Sequence, residues 1–418
     1  MTLDVYYETF RVGGIEIDGG QTSFTYDRRW QRTRQAFPVS LSMPLAADAH
    51  PGDVLMPWLM NLLPEGDPLR ATGNALGIAQ EDVIALLEHI GGDTAGALSV
   101  GGPRDRVQAG YRPVETEADL ERILADLPSK PFLVDEAGVS MSLAGAQYKL
   151  PVHADDTGRI AVPVHGAPST HILKPDNERL HGSVVNEALC LVLARRVGLT
   201  TCTATTGRAG ARTYLLVTRY DRDRRGDGTI LRRHQEDFCQ ALGRPPGAKY
   251  EHNQTGRRGP DLSTMIGLVR DQLVPGQIPR FLDAVIFNIA IGNVDSHAKN
   301  YSVLYPLDGG PPALAPLYDL MSGLAWPGIT ENHAQDIGGQ NRGRHIHGRH
   351  WARLAAESGV NATRLRRRVE EICALIPAEV DAAVAEVAAM PGGGHGMLAE
   401  FSREIRERAQ TVRDHNAI

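Results

Sequence analysis

Lysine is scarce in this chain. Of 44 basic residues, 5 are lysine and 39 arginine, so each lysine marks a position where arginine did not serve. Cysteine is scarce too. Cys190, Cys202, Cys239 and Cys373 form no C-x-x-C pair, which excludes a disulfide framework and a cysteine zinc site and reads as reduced core thiols. Long apolar runs are missing: the stretch 188–194 falls far short of the ~18 residues that span a bilayer. The N-terminus MTLDVYYE has no basic start and no apolar h-region, so no secretory signal, no membrane contact and a cytoplasmic location are expected. An excess of positive charge is also lacking. The balance is 44 − 50 = −6, so nucleic acid would have to be met by a local patch.

With 42% hydrophobic and 22% charged residues, the 418-residue chain is neither disordered nor fibrous, and its length suits two or three domains. Residues 1–105 read as a mixed α/β unit, with strands at 5–10 and 14–17 and helices at 56–63 and 81–90. A helix at 115–127 lies in a connector. From 140 a β-rich part follows: a glycine-containing loop at 142–152, a strand at 171–174 ended by Pro175, an amphipathic helix at 184–197 ended by Gly198, and a strand at 213–220. From about 230 the chain is mostly helical, with helices expected at 235–242, 261–274, 278–291, 350–357, 362–375, 377–389 and 398–413.

The densest polar cluster follows the apolar helix at 281–291. Asp295 and Asn300 stand there at the D-x-x-x-x-N spacing of a kinase catalytic loop: a carboxylate for the substrate hydroxyl and an amide for Mg²⁺. Asp319 comes later, where a second metal ligand belongs, although Leu-Met-Ser follows it in place of the usual Phe-Gly. Upstream, Lys174 ends a strand and Glu187 lies on the next helix, as a phosphate-contacting lysine and its carboxylate partner would. Before them lies Ser142-Leu-Ala-Gly-Ala-Gln-Tyr-Lys149, small enough for backbone to approach phosphates, with Ser142 as a hydroxyl beside it. Singly, these are a capped loop, a turn aspartate, a surface lysine and a turn glycine. In this order along one chain they spell a kinase.

The chain resembles the HipA family of toxin–antitoxin serine/threonine kinases. The resemblance rests on residues 40–45 (SLSMPL), 61–66 (NLLPEG), 95–98 (AGAL), 142–147 (SLAGAQ), 170–174 (THILK), Asn186-Glu187, 235–242 (QEDFCQAL), 295–300 (DSHAKN) and Tyr318-Asp319. It implies an α+β, bilobal protein-kinase-like fold: an N-terminal subdomain over 1–105, a small lobe over 106–220 and a helical large lobe over 221–418. It implies ATP and Mg²⁺ as cofactors, with Asp295 as catalytic base and Asn300 and Asp319 as metal ligands. ATP would be met by Ala144, Gly145, Ala146, Gln147, Tyr148, Lys149 and Lys174, by the hinge Thr218, Arg219 and Tyr220, and by His297, Lys299, Asn300, Tyr318 and Asp319. Glu187 would pair with Lys174. Ser142 would be an autophosphorylation site that switches the enzyme off. Tyr148 departs from the glutamate expected in this loop. The implied partners are a HipB-like helix-turn-helix antitoxin, operator DNA only through it, and a protein substrate, an aminoacyl-tRNA synthetase.

Two other features are open. His345, His347 and His350 offer a zinc-like spacing among arginines that repel a cation, and residues 341–351 with Arg364–Arg368 offer a basic patch for DNA. Two other functions compete with the protein kinase: a catalytically silent kinase-fold co-repressor, and a small-molecule kinase.

Overall fold

The computed structural model describes residues 2–103 and 107–417. The boundary expected between 105 and 106 lies outside the described residues. The chain opens with a five-stranded antiparallel sheet in the order His50–Pro51, Gln21–Tyr26, Phe10–Asp18, Thr2–Tyr7, Leu98–Val100. Leu3 stands opposite Ile15 and Ile15 opposite Phe24, which puts three buried side chains in one row on one face. Gly13 is required beside them, since a Cβ there would lie 2.4 Å from Phe24 Cζ. The reading of 5–10 as one strand is corrected: the chain turns at Glu8, with φ 53°, and Phe10 starts the next strand. Helices Gly52–Met60, Gly66–Leu76 and Val83–Ile90 complete this part.

A six-stranded antiparallel sheet follows, ordered Ala204–Ala209, Arg212–Thr218, His171–Pro175, Leu150–Ala154, Ile160–Val164, Gly110–Pro113. One face packs on a small core of Leu120, Leu124, Phe132, Leu150, Val152 and Leu173. The helix Ser183–Arg196 lies against the Ala204–Ala209 and Arg212–Thr218 edge. It is not amphipathic as expected: every residue from Ser183 to Ala194 is buried, because Ala362–Ala388 and Leu398–Asn416 cover its other side.

The remainder is helical, built on Leu262–Gln272, Gln277–Ile291, Gly348–Ser358, Ala362–Ala388 and Leu398–Asn416. The expected break at 376 does not occur, and one helix runs through Pro377. An internal proline costs about 3 kcal/mol. Ile376, Val380, Ala383 and Val387 are wholly buried on the helix's inner face, and that burial outweighs the cost. The expected helix at 235–242 divides into a strand Gln235–Asp237 and a short helix Phe238–Ala241, where Asp237 and Gln240 form a capping box. All four cysteines are buried and free. Among the described residues, no helix is long and apolar enough to cross a membrane.

Candidate active site

Four of the five lysines, Lys149, Lys174, Lys249 and Lys299, line a single cavity of 410 Å³ between the second sheet and the helical part. The fifth, Lys130, pairs with Glu136 at the surface. Four buried or half-buried cations in one cleft need anions, and the structure supplies them unevenly.

Lys174 owes its place to strand alternation. Leu173 points into the small core and Lys174 to the opposite face, into the cleft. Its Nζ lies 2.7 Å from Glu187 Oε1 and also pairs with Asp319. Burial alone would pull the Lys174 ammonium down, but Asp319 and Glu187 outweigh it and push it up. Burial likewise opposes ionisation of Asp319, yet Lys174 and Lys149 hold it well below the usual carboxylate range. Asp319 sits at φ 51°, a left-handed conformation that aspartate tolerates better than most residues.

The helix Gln277–Ile291 ends at Gly292, with φ 69°. A Cβ there would meet Leu324 Cγ at 2.5 Å, so only glycine lets the chain turn at this point. Asn293 then anchors the loop: its Nδ2 donates to Asn288 Oδ1 (2.9 Å) and its Oδ1 accepts from the Asp295 N–H (3.2 Å). Asn300 Nδ2 donates to Asp295 O at 2.8 Å, which ties the two ends of the D-x-x-x-x-N segment together. The Tyr250 hydroxyl donates to the Asp295 carboxylate. His297 is buried beside it, and burial lowers its pKa to about 4, so it is neutral at pH 7.

The loop over the cleft is held from below by the first part of the chain. Gly145, with φ 106°, accepts at its carbonyl from the Glu65 N–H at 3.0 Å. Lys149 folds under the loop and donates to Ala144 O at 2.6 Å, and burial lowers its pKa to about 8. Ser142 is wholly buried. Its Oγ donates to Leu62 O at 2.7 Å and its N–H to Asp93 O at 3.1 Å.

Glu65 extends that clasp to the opposite wall. Its carboxylate lies 2.7 Å from Lys249 Nζ and 3.4 Å from Lys299 Nζ. Burial would raise its pKa, but Lys299 and Lys249 bring it to about 2. Lys299 also donates to Asn61 Oδ1 at 2.6 Å and lies 3.4 Å from Asp237.

Ala144, Gly145, Ala146, Gln147, Lys149, Lys174, Glu187, Thr218, Arg219, Tyr220, Asp295, His297, Lys299, Asn300, Tyr318 and Asp319 thus border one space. Tyr148 does not; its ring packs on the small core instead. Arg219 borders the cavity, but its guanidinium is spent in a buried cluster, donating to Asp221, Ser169 and Thr94 O beside Asp93. Tyr220 and Tyr318 stack with centroids 5.7 Å apart.

Sequence reasoning assigned no role to Asn61, Glu65, Asp237, Lys249 or Tyr250. The rarity of lysine was a signal for Lys249. Asn61, Glu65 and Asp237 lie in segments 61–66 and 235–242, which show no chemistry until they meet the loop 295–300, and Tyr250 carried no signal beyond its place next to Lys249.

His345, His347 and His350 do not converge. His347 stacks on His415, and His350 Nδ1 accepts from the His347 N–H. The one three-ligand group among the described residues is Glu251, His252 and Asp336. There Arg258 and the Asp336 N–H already take both Glu251 oxygens. In the patch 364–368, Arg367 pairs with Glu371, and Arg368 with Asp283 and Glu371.

Comparison with known proteins agrees with this architecture. The HipA N-terminal domain model matches residues 3–101, and the HipA-like C-terminal domain model matches residues 141–380. The protein Y4mE of Sinorhizobium fredii is 38% identical over 380 residues, covering 88% of this chain and 89% of that protein. The serine/threonine-protein kinase toxin HipA of Shewanella oneidensis is 30% identical over 396 residues, covering 90% and 89%. Among solved structures, a chain of the Shewanella oneidensis MR-1 complex of HipA, HipB and operator DNA superposes with a TM-score of 0.84 at 27% identity, covering 99% of both chains. In sequence along nearly its whole length, and in the α+β fold that gathers its polar segments around one cleft, the chain belongs to the HipA family.

Proposed function

We propose that this chain is an ATP- and Mg²⁺-dependent serine/threonine protein kinase and the toxin of a toxin–antitoxin pair. The observation that carries the reading is the single cavity bordered by Lys174, Asp319, Asn300 and Asp295. In this reading Asp295 orients the acceptor hydroxyl and takes its proton as the oxygen bonds to the γ-phosphorus, while the bond from that phosphorus to the β-phosphate oxygen breaks and ADP leaves. Lys174, fixed by Glu187, gives a buried cation to the phosphate oxygens. The loop 144–149 covers the phosphates, and Thr218, Arg219 and Tyr220 border the adenine end.

Asn300 and Asp319 fit Mg²⁺ by donor chemistry. Asp319 is held ionised, and the Asn300 amide donates through Nδ2 to Asp295 O and keeps its Oδ1 to offer a cation. Bound there, Mg²⁺ would neutralise charge on the phosphates.

Ser142 is the proposed autophosphorylation site. Because it is wholly buried on Leu62 O, its loop must leave that position first. A phosphate of about −1.5 to −2 charge could not return to a site lined by backbone carbonyls.

The proposed partner is a helix-turn-helix antitoxin of the HipB kind, with operator DNA met only through it. The support is that the solved Shewanella oneidensis relative is a complex with HipB and operator DNA. The proposed substrate is an aminoacyl-tRNA synthetase, whose inactivation would arrest translation.

The test is the intact mass of purified protein after incubation with Mg²⁺-ATP, beside Asp295→Asn. One added phosphate at Ser142 in the wild type only, with transfer falling by about 10²–10⁴-fold in the variant, is the expected result. ATP binding with no phosphate on either protein or on any added substrate would turn the assignment to the silent co-repressor. Phosphorylation of a metabolite and no protein would turn it to the small-molecule kinase.

A further inference from the structure

A second cavity of 470 Å³ opens on the other side of Asp295. It shares Leu180, Tyr250, Asn293, Asp295 and Met321 with the nucleotide cavity, so the two spaces adjoin at the carboxylate. We infer that this second cavity receives the acceptor polypeptide and selects a serine or threonine with a bulky aliphatic residue one or two positions away. The inference rests on the kinase reading above and adds the substrate's local chemistry to it.

Three observations carry it. First, a hydroxyl already fits at the reacting end. The Tyr250 phenol, which borders both cavities, donates to the Asp295 carboxylate as an acceptor hydroxyl would, so an incoming serine or threonine replaces it there.

Second, the wall beyond Asp295 is largely apolar. Val294, Met321, Trp326, Ile329 and Ala334 line it beside the polar His252, Thr330, Asn332 and Asn341, and buried His333 is neutral, since burial lowers its pKa to about 4. Val294 adjoins Asp295 in the chain. A side chain seated on it therefore belongs to a residue next to the acceptor or one further, at about 3.8 Å per Cα step. Ile329 is 37% exposed in an exposed run, and among the described residues it is the one exposed large hydrophobic residue that borders either cavity.

Third, the wall is held in place. The Gly323 N–H donates to Gly292 O at 3.0 Å, on the turn that leads into the catalytic loop. A Cβ on Gly323 would lie 3.1 Å from Val294 and 3.2 Å from Ile329, so glycine lets those two side chains close over it. Trp326 donates from Nε1 to His181 O at 3.0 Å and packs its ring edge-on to Phe401. A fixed apolar surface continuous with the catalytic carboxylate suits an aliphatic anchor and penalises a charged one.

The test uses the full chain with Mg²⁺-ATP on a peptide library that has serine or threonine at the centre and every residue type at each flank. The proteins compared are wild type, Ile329→Glu, Ile329→Leu and Asp295→Asn. Expected is at least a tenfold preference of the wild type for leucine, isoleucine or methionine over aspartate at one flank within two residues. Ile329→Glu should lose that preference through a raised KM for peptide with an unchanged dissociation constant for ATP, while Ile329→Leu retains it. Transfer without flank preference, or a preference that Ile329→Glu leaves intact, overturns the groove assignment and leaves the kinase standing. Transfer to no peptide above the Asp295→Asn background, with ATP still bound, removes the kinase reading and the groove with it.

Discussion

Replacing Glu65 by glutamine should loosen the cleft from a position 80 residues before Gly145, the loop residue it bonds. The wild-type carboxylate is only 16% exposed and answers two ammonium groups, at 2.7 Å and 3.4 Å. Its pKa drops from 4.5 to about 2. At 1.36 kcal/mol per pH unit that is about 3 kcal/mol, in line with the ~3–5 kcal/mol lost when one partner of a buried pair is removed. Glutamine keeps the shape and the backbone bond to Gly145, but it strips Lys249 of its ion pair and leaves Lys299 with Asp237. The sign is fixed by the direction of the shift. A carboxyl held below its ordinary value contributes fully above 4.5, and its contribution is lost as pH falls through about 2. Hydrogen exchange of the amides in 61–66 and 142–149 is the assay, because it reads local opening without assuming that the whole chain unfolds in one step. At pH 7 the variant should lose about a hundredfold in protection there, and at pH 3 the difference should shrink to about tenfold. Equal protection in the two proteins at pH 7, or a gap that does not narrow in acid, would refute the clasp.

Other consequences follow from the same site. With the Lys149 pKa at about 8, nucleotide affinity should fall as pH rises through that value, by up to about tenfold per pH unit, and Lys149→Met should bind weakly with no such dependence; titration with ATP between about pH 6.5 and 9.5 checks both. Ser142→Asp puts an unpaired charge into a wholly buried position and should cost about 3 kcal/mol of local stability together with ATP affinity, whereas Ser142→Ala, which loses one hydrogen bond, should cost about 1 kcal/mol and still bind ATP.

The chemistry of the cleft was more legible in the sequence than its walls. Asp295 and Asn300 lie on one short loop after an apolar helix, so spacing alone brings them near each other, and Asn300 does bond to Asp295 O. Lys174 and Glu187, a strand end and the first turns of the next helix, meet across 13 residues. The helices expected from 261 and 81 begin at Leu262 and Val83, where the Asp261 and Asp82 side chains cap the backbone. Pro377 misled because a local rule was overridden by burial on both sides of it.

By itself the sequence determined the identity and order of the polar groups that line the cleft, since those depend on residue type and on separations shorter than one element. The tertiary structure alone decided the long-range pairings. Glu65 reaches Lys249 across 184 residues, Asn61 reaches Lys299 across 238, and Asp93 joins Arg219 across 126. No periodicity encodes such pairs. They form because two sheets and a helical body close on one another and leave largely buried cations between them, where a charge without a hydrogen-bond or ion-pair partner is costly.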